Sequence, residues 1–486
     1  MNNRYSRPLN RRQFLGRMLY GPPALGAGLG LIPWPTALAS HGAVTVPRTL
    51  VNLMLYGGAD LRYLFAPAPG HDPGYVDQFW AARSNLYDIS YATYADMFAG
   101  EYTLVTDPLT GVFTFGIHNT AGWLASEFAA GNVAVIANTF ASLNRRHDHS
   151  QLIVQTGDLA AGRTIYDREG WGGRLVESLS GSPNVVELSD EVQIFCNGSD
   201  ASYRLAQAVH AEDAREMGIP SAALGGTSKD DAQIRALNAY YAARGTEIDT
   251  GKPAAWPFRK FFQHYAALRY FGGLMEDRLS SHPIPAALTA PAFELVSTSF
   301  ERQCRNLYDV CLAPDILDFR VLSMSYDHWD THTNQAVDIQ SNLQDVFGTG
   351  GGLDTTMTQL AADVPSAASN LVFTFPWDFG RQLAANGSNG TDHGRGSYSI
   401  VVGSLIQGGI YGEFFPQREA LPDPEDSQGR TPFEISGRDI NGLTSLEHVW
   451  ARISNWLQAG SGDIVFPGYS LSPLETGVDL SNLFTA

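Results

Sequence analysis

The chain has 486 residues, 44% of them hydrophobic, and a formal net charge of −18, which leaves room for one large domain with insertions and excludes the disordered and fibrous classes. So acidic a surface repels nucleic acid and anionic membranes, and neither is an expected partner. Lysine occurs only at Lys229, Lys252 and Lys260, so almost all the positive charge is arginine.

At the N-terminus, Asn10-Arg11-Arg12-Gln13-Phe14-Leu15-Gly16 forms a twin-arginine pattern. A weakly hydrophobic stretch from Met18 to Trp34 follows, and Ala37-Leu38-Ala39 supplies a small-x-small cleavage site before Ser40. These parts in this order predict a twin-arginine signal peptide over residues 1–39. They also predict passage through the twin-arginine translocase to the periplasm or the extracellular space. Removing the segment takes away Arg4, Arg7, Arg11, Arg12 and Arg17 but no acid, leaving 27 basic against 50 acidic side chains, or −23. Gly21-Pro22-Pro23 and Pro33 interrupt the apolar stretch and no later run reaches membrane length, so no span is expected in the mature chain.

Thr49-Leu50-Val51-Asn52-Leu53-Met54-Leu55 predicts a buried first strand, closed by Tyr56-Gly57-Gly58-Ala59-Asp60. The glycines permit a tight turn that puts Asp60 just past the strand's carboxyl end, where open α/β sheets bind ligands. The same turn also suits a purely structural aspartate. A helix from Trp123 to Ala130, stopped by Gly131, and a strand at Val133-Ala134-Val135-Ile136-Ala137 continue the alternation expected of an α/β fold with a largely parallel sheet. The polar loop from Asn138 to Gln151 carries Arg145, Arg146, His147, Asp148 and His149. Paired guanidinium forks beside imidazoles can clamp an anionic ester, and the loop can equally be solvated with Asp148 or Ser150 capping the next helix.

Glu169-Gly170-Trp171-Gly172-Gly173-Arg174 reads as a helix start packed on a loop, and the Ala- and Arg-rich segment 203–281 as a helical insertion. A further helix is expected over Ala287–Leu312. Cys304 and Cys311 within it stand roughly 10 Å apart on helical rise, beyond disulfide reach, so they and Cys196 are expected as buried thiols. The strand Phe319–Met324 leads into Ser325-Tyr326-Asp327-His328-Trp329-Asp330-Thr331-His332. If the strand continues, period two sets Asp330 and His332 on one face. After a helix near 334–346, Gly348-Thr349-Gly350-Gly351-Gly352 follows a helix rather than a strand and lacks a P-loop lysine, so nucleotide binding is rejected. The strand Ser369–Phe375 ends in Pro376-Trp377-Asp378-Phe379-Gly380-Arg381. Gly390-Thr391-Asp392-His393-Gly394 then precedes a strand from Tyr398, and a helix over Ser445–Leu457 closes the pattern.

Strand tips thus supply Asp60, His147, His149, Asp330, His332, Asp378, Asp392 and His393. Mixed carboxylate and imidazole sets suit a divalent metal such as zinc or manganese, and carboxylates alone suit calcium or magnesium.

Asp330-Thr331-His332, Asp378-Phe379-Gly380-Arg381 and Thr391-Asp392-His393-Gly394 carry a resemblance, joined by the Gly57–Asp60 turn, Gly170–Arg174 and the twin-arginine signal. Together they resemble a bacterial family of unknown function, domain of unknown function 1501, which looks like a distant relative of the alkaline phosphatase and sulfatase superfamily. The likeness runs from about Thr49 to Leu457, is strongest from Asp330 to Gly412 and skips the insertion. It implies one alkaline-phosphatase-like α/β domain over 40–486, with helices sandwiching the sheet. It also implies a metal held by Asp60, Asp330, His332, Asp378 and His393. The chain departs from the family at Asp378, where glutamate is usual, and at Asn144-Arg145-Arg146-His147, where the family carries Ser-Arg-Ser-His. The missing hydroxyls argue against covalent catalysis and favour water activated by the metal. The resulting expectation is an exported phosphate- or sulfate-ester hydrolase, using a divalent metal (zinc, manganese or calcium) and binding an anionic small-molecule or polymeric ester through Arg145, Arg146 and His147. The alternative is a non-catalytic exported binding or assembly protein that keeps the fold. Asp327 and His328 have no counterpart in the family pattern and are expected to act as hydrogen-bonding groups around the site.

Overall fold

A computed structural model describes residues 45–160, 169–181, 183–198, 208–216, 272–293 and 295–485, with four single positions between 236 and 243. The expected signal peptide and most of the expected insertion at 203–281 lie outside the described residues. In chain order the strands are β1 (Thr49–Leu55), β2 (Phe65–Pro67), β3 (Tyr102–Thr106), β4 (Thr114–His118), β5 (Val133–Phe140), β6 (Asn184–Glu187), β7 (Ala208–His210), β8 (Phe319–Tyr326), β9 (Leu371–Thr374), β10 (Ser397–Val402), β11 (Gly409–Tyr411) and β12 (Thr444–Ser445).

Among the described residues nine strands form the main sheet in the order β11-β5-β10-β9-β1-β8-β6-β7, with β12 pairing beside the end of β5. Strands β2, β4 and β3 make a small antiparallel sheet. In the main sheet every pairing is parallel except those of β10, which runs against both β9 and β5. The fold is therefore α/β with a mostly parallel central sheet.

Runs of Leu, Val, Ile, Met and Phe without regular alternation belong to strands covered on both faces. Accordingly β1, β5, β9 and β10 are buried at every position. Helices Trp171–Ser178 and Thr298–Cys311 both touch β8, and Leu446–Leu457 touches β1. Each Leu, Ile or Val so covered contributes about 1.5–3 kcal/mol, enough to hold the strand register. That register pairs Leu50 with Val321 and Leu55 with Tyr326, so β1 and β8 end level. The chain after β9 continues alongside, with Trp377 bridging Leu55.

Helix Trp171–Ser178 starts as expected at Gly170, and its Trp171 ring stacks on Trp450 at 5.4 Å. The helix expected over 287–312 is shorter, Thr298–Cys311, begun by Ser297 capping the Phe300 amide. Pro285 and Pro291 explain the lost turns, since the segment before it folds as two short 3-10 turns at Ala286–Leu288 and Pro291–Phe293. Cys196, Cys304 and Cys311 are buried free thiols. Among the described residues no helix is long and apolar enough to cross a membrane.

Candidate metal centre

The carboxyl ends of β1, β5, β8 and β9 meet along one edge of the sheet. The reversal of β10 brings the residues that precede it, Asp392 and His393, to that same edge. The β1 turn is what lets the tips close up. Gly57 and Gly58 take φ of 114° and 79°, a region that favours glycine. A Cβ at Gly57 would overlap the Trp329–Asp330 backbone, and one at Gly58 would overlap Phe379.

The strand does not carry Asp330 and His332. β8 ends at Tyr326, and His328 turns the chain with a left-handed φ of 76°. Two tight backbone bonds follow, Thr331 N to Trp329 O at 3.0 Å and His332 N to Asp330 O at 3.1 Å. Both side chains reach one site through this coil rather than through a pleat.

Arg381 ties the tips together. Its side chain is 1% exposed, and it donates to the carbonyls of Gly58 (2.7 Å), Gly57 (2.5 Å), Trp329 (3.0 Å) and Thr391 (2.9 Å), and to Asp330 Oδ1 (2.6 Å). One buried guanidinium thus spans the β1 turn, the β8 turn and the loop before β10, using the planar fork that lysine lacks.

Around Asp330 stand three imidazoles, each held by its Nδ1. His147 Nδ1 lies 2.7 Å from Asp378 Oδ2, His332 Nδ1 lies 3.1 Å from Asp392 Oδ1, and His393 Nδ1 lies 3.0 Å from the Arg145 carbonyl. All three partners accept, so each Nδ1 donates its proton outward and each Nε2, the nitrogen left to take a cation or a proton, is turned inward. The Nε2 atoms of His393 and His332 are 3.0 and 3.1 Å from Asp330 Oδ1 and only 2.8 Å from each other, while His147 Nε2 is 3.3 Å from Asp330 Oδ2. His147 Nε2 is buried and makes no well-formed hydrogen bond. Ligand atoms of His147, Asp330 and His393 all lie within 4.8 Å of one another, and His332 joins through the latter two. Lone pairs that face one another across a carboxylate call for a cation or a proton between them.

The electrostatics agree. Burial disfavours charge on His147, but the Asp330 and Asp378 carboxylates beside its ring prevail and raise its pKa to about 9, so in the metal-free protein Nε2 holds a proton against Asp330. Burial also opposes the ionised Asp330, yet His147, His393 and Arg381 hold it far below the usual carboxylate range. The site is open to solvent, with Asp330, His332 and His147 side chains 43%, 39% and 34% exposed.

The structure places the expected site residues in three groups. His147, Asp330, His332 and His393 come together. Asp378 stands behind His147, where its Oδ2 also accepts from Gln151 Nε2 (2.9 Å) and Gly57 N (3.2 Å), and its buried Oδ1 has no partner among the described residues. Asp60 faces elsewhere. It is buried, caps the Arg62 amide, and gives Oδ2 to Arg83 (2.5 Å) and Gln335 (2.7 Å).

The two arginines expected to bind an anion are occupied, Arg145 with Asp439 and Arg146 in an exposed pair with Asp148. Neither Asp148 nor Ser150 caps helix His147–Thr156, whose N-cap is Arg146. His149 Nδ1 lies 3.0 Å from the Asn144 amide. The nearby hydroxyls are buried and bonded, Thr139 to the Ser397 carbonyl and Ser150 to Asn144 Oδ1, while Ser142 accepts from the Asn144 amide. Sequence reasoning missed Gln151, Gln335 and the part played by Arg381. The Asp378-Phe-Gly-Arg381 motif named the arginine without revealing its partners. The glutamines carried no signal, because their partners lie 227 and 275 positions away.

Fold and site together define an α/β protein with an imidazole-rich, cation-suited centre at the carboxyl edge of a mostly parallel sheet. Residues 315–419 match the family model described as "Protein of unknown function (DUF1501)", so the chain contains a DUF1501 domain. The matched segment carries Asp330, His332, Asp378, Arg381, Asp392 and His393; His147 and Asp60 come from outside it. No curated protein matches the chain.

Proposed function

We propose that this chain is an exported, metal-dependent hydrolase of phosphate or sulfate esters on an alkaline-phosphatase-like fold, delivered by a twin-arginine signal to the periplasm or beyond. One observation carries the reading: three imidazole Nε2 atoms, each aimed by an acceptor on its Nδ1, converge on the Asp330 carboxylate. His147, His332, His393 and Asp330 would hold the ion. A divalent cation there supplies Lewis-acid polarisation of an ester oxygen and lowers the pKa of a bound water toward neutrality. Asp378 and Asp392 keep the rings of His147 and His332 in the ligating tautomer, and Arg381 holds Asp330 at the crossing of the three tips. The exposure of Asp330 and His332 leaves a path for an ester from solvent.

The test is an ester panel run on metal-stripped and metal-reloaded protein. Turnover should appear only on reloading and should vanish in His332→Ala and His393→Ala variants that still fold. A second reading, a non-catalytic exported binding protein with a structural ion, draws on the occupied Arg145 and Arg146 and on the missing hydroxyls. Metal binding without turnover of any ester would favour it, and elemental analysis showing no bound ion would remove both readings.

A further inference from the structure

Resting on the metal-centre reading, we infer that the centre is mononuclear and nitrogen-dominated. It takes one ion of the zinc, cobalt or nickel class through His147, His332, His393 and Asp330, while Asp60, the further acidic strand tip, is committed to Arg83 and unavailable to a second ion.

Three observations converge. The first is donor chemistry. Three imidazole nitrogens and one carboxylate suit borderline first-row ions, whereas calcium and magnesium require oxygen-rich sets. The second is the fate of Asp60. Arg83 has a fully buried side chain, pairs with Asp60 Oδ2 at 2.5 Å and donates to the Leu383 carbonyl at 3.0 Å. Gln335 Nε2 takes the same oxygen, and the Arg62 amide takes the other. A cation on Asp60 would have to displace a fully buried guanidinium, and a buried charge left alone is strongly destabilising.

Gln335 also shows what Asp60 does instead. Its Oε1 accepts from Thr331 Oγ1 at 3.0 Å and Thr391 Oγ1 at 2.6 Å. Thr331 lies between Asp330 and His332, and Thr391 lies just before Asp392 and His393. Asp60 therefore anchors a buried chain that aligns the two ligand-bearing loops. The third observation is geometric. Among the described residues, His147, Asp330 and His393 are the group of three or more donors that closes to metal-binding distance.

The test uses the full chain stripped with a chelator and titrated with Zn²⁺, with Co²⁺ as a visible probe and Ca²⁺, Mg²⁺ and Mn²⁺ as competitors. The expected result is one tightly bound Zn²⁺ per chain. Co²⁺ should give ligand-field bands that Zn²⁺ abolishes and that His393→Ala removes, with Zn²⁺ affinity at least 100-fold weaker in that variant. Calcium and magnesium should fail to displace the probe at a hundredfold excess. Two tight ions per chain, or calcium competing on equal terms, overturns the inference and leaves the metal centre standing. A second ion that disappears in Asp378→Asn would trace the error to the unpartnered Oδ1 of that residue. Failure of every ion to bind instead removes the metal reading itself, and with it this inference.

Discussion

Two clusters of ionisable side chains in this protein teach opposite lessons. Arg62, Glu419 and Tyr75 form a closed set: Arg62 donates to both carboxylate oxygens of Glu419 at 3.0 and 2.8 Å, Tyr75 donates to one of them at 2.7 Å, and the Arg62 and Glu419 side chains are 2% and 5% exposed. The guanidinium also lies over the Tyr398 ring at 5.2 Å. Every charge there meets its opposite, as burial demands. The His147–Asp330–His332–His393 cluster is open to solvent and unbalanced, with ring nitrogens facing one another. A satisfied cluster holds the fold together, while an unsatisfied one marks the place where something else binds.

Breaking the closed cluster should give the largest change in stability. Glu419→Ala strands the Arg62 charge and is expected to cost about 3–5 kcal/mol, read by denaturant unfolding, while Zn²⁺ affinity of the folded fraction stays unchanged. A parallel loss of metal affinity would show that the two regions are coupled. At the open cluster, Asp378→Asn removes the acceptor that fixes the His147 tautomer and should weaken metal binding by about 10–100-fold, with a smaller change in unfolding midpoint.

The pH dependence separates the regions further. In metal-free protein the folded His147 pKa, raised to about 9, exceeds its unfolded value of about 6.5. Its contribution to stability is therefore complete below about 6.5 and is lost as pH rises through about 9. Because an ion must displace that proton, metal affinity should climb over the same interval while metal-free stability falls. Affinity flat between pH 6.5 and 9 would falsify the role given to His147. The smallest effect belongs to Arg146→Ala, an exposed pair with Asp148, which should shift stability by no more than about 1 kcal/mol. A loss of ester turnover in that variant would return Arg146 to substrate binding.

Much of this arrangement was legible along the chain, for local reasons. β1 falls on the expected Thr49–Leu55, because a mostly apolar run interrupted only by Asn52 suits a strand covered on both faces. The Gly57–Gly58 turn needs two positive φ values and shows it by composition. His332, Asp330 and His393 were legible as candidates for one site, since all three fall just beyond apolar strands whose carboxyl ends share an edge. Less legible were the segments whose conformation depends on distant partners. The stretch after Tyr326 is coiled rather than extended, because Asp330 is drawn toward Arg381, 51 positions later.

The amino-acid sequence by itself determined the α/β class, the strand cores and the supply of metal-suited side chains at strand tips, since these follow from hydrophobic runs and short-range turn chemistry. Tertiary structure alone decided which tips meet. It reversed β10 and so brought His393 to the carboxyl edge of the sheet, set Asp378 behind His147 across 231 positions, and gave Asp60 to Arg83. Each of these outcomes depends on contacts between positions far apart in the chain, and proximity of that kind is created only when the sheet is assembled.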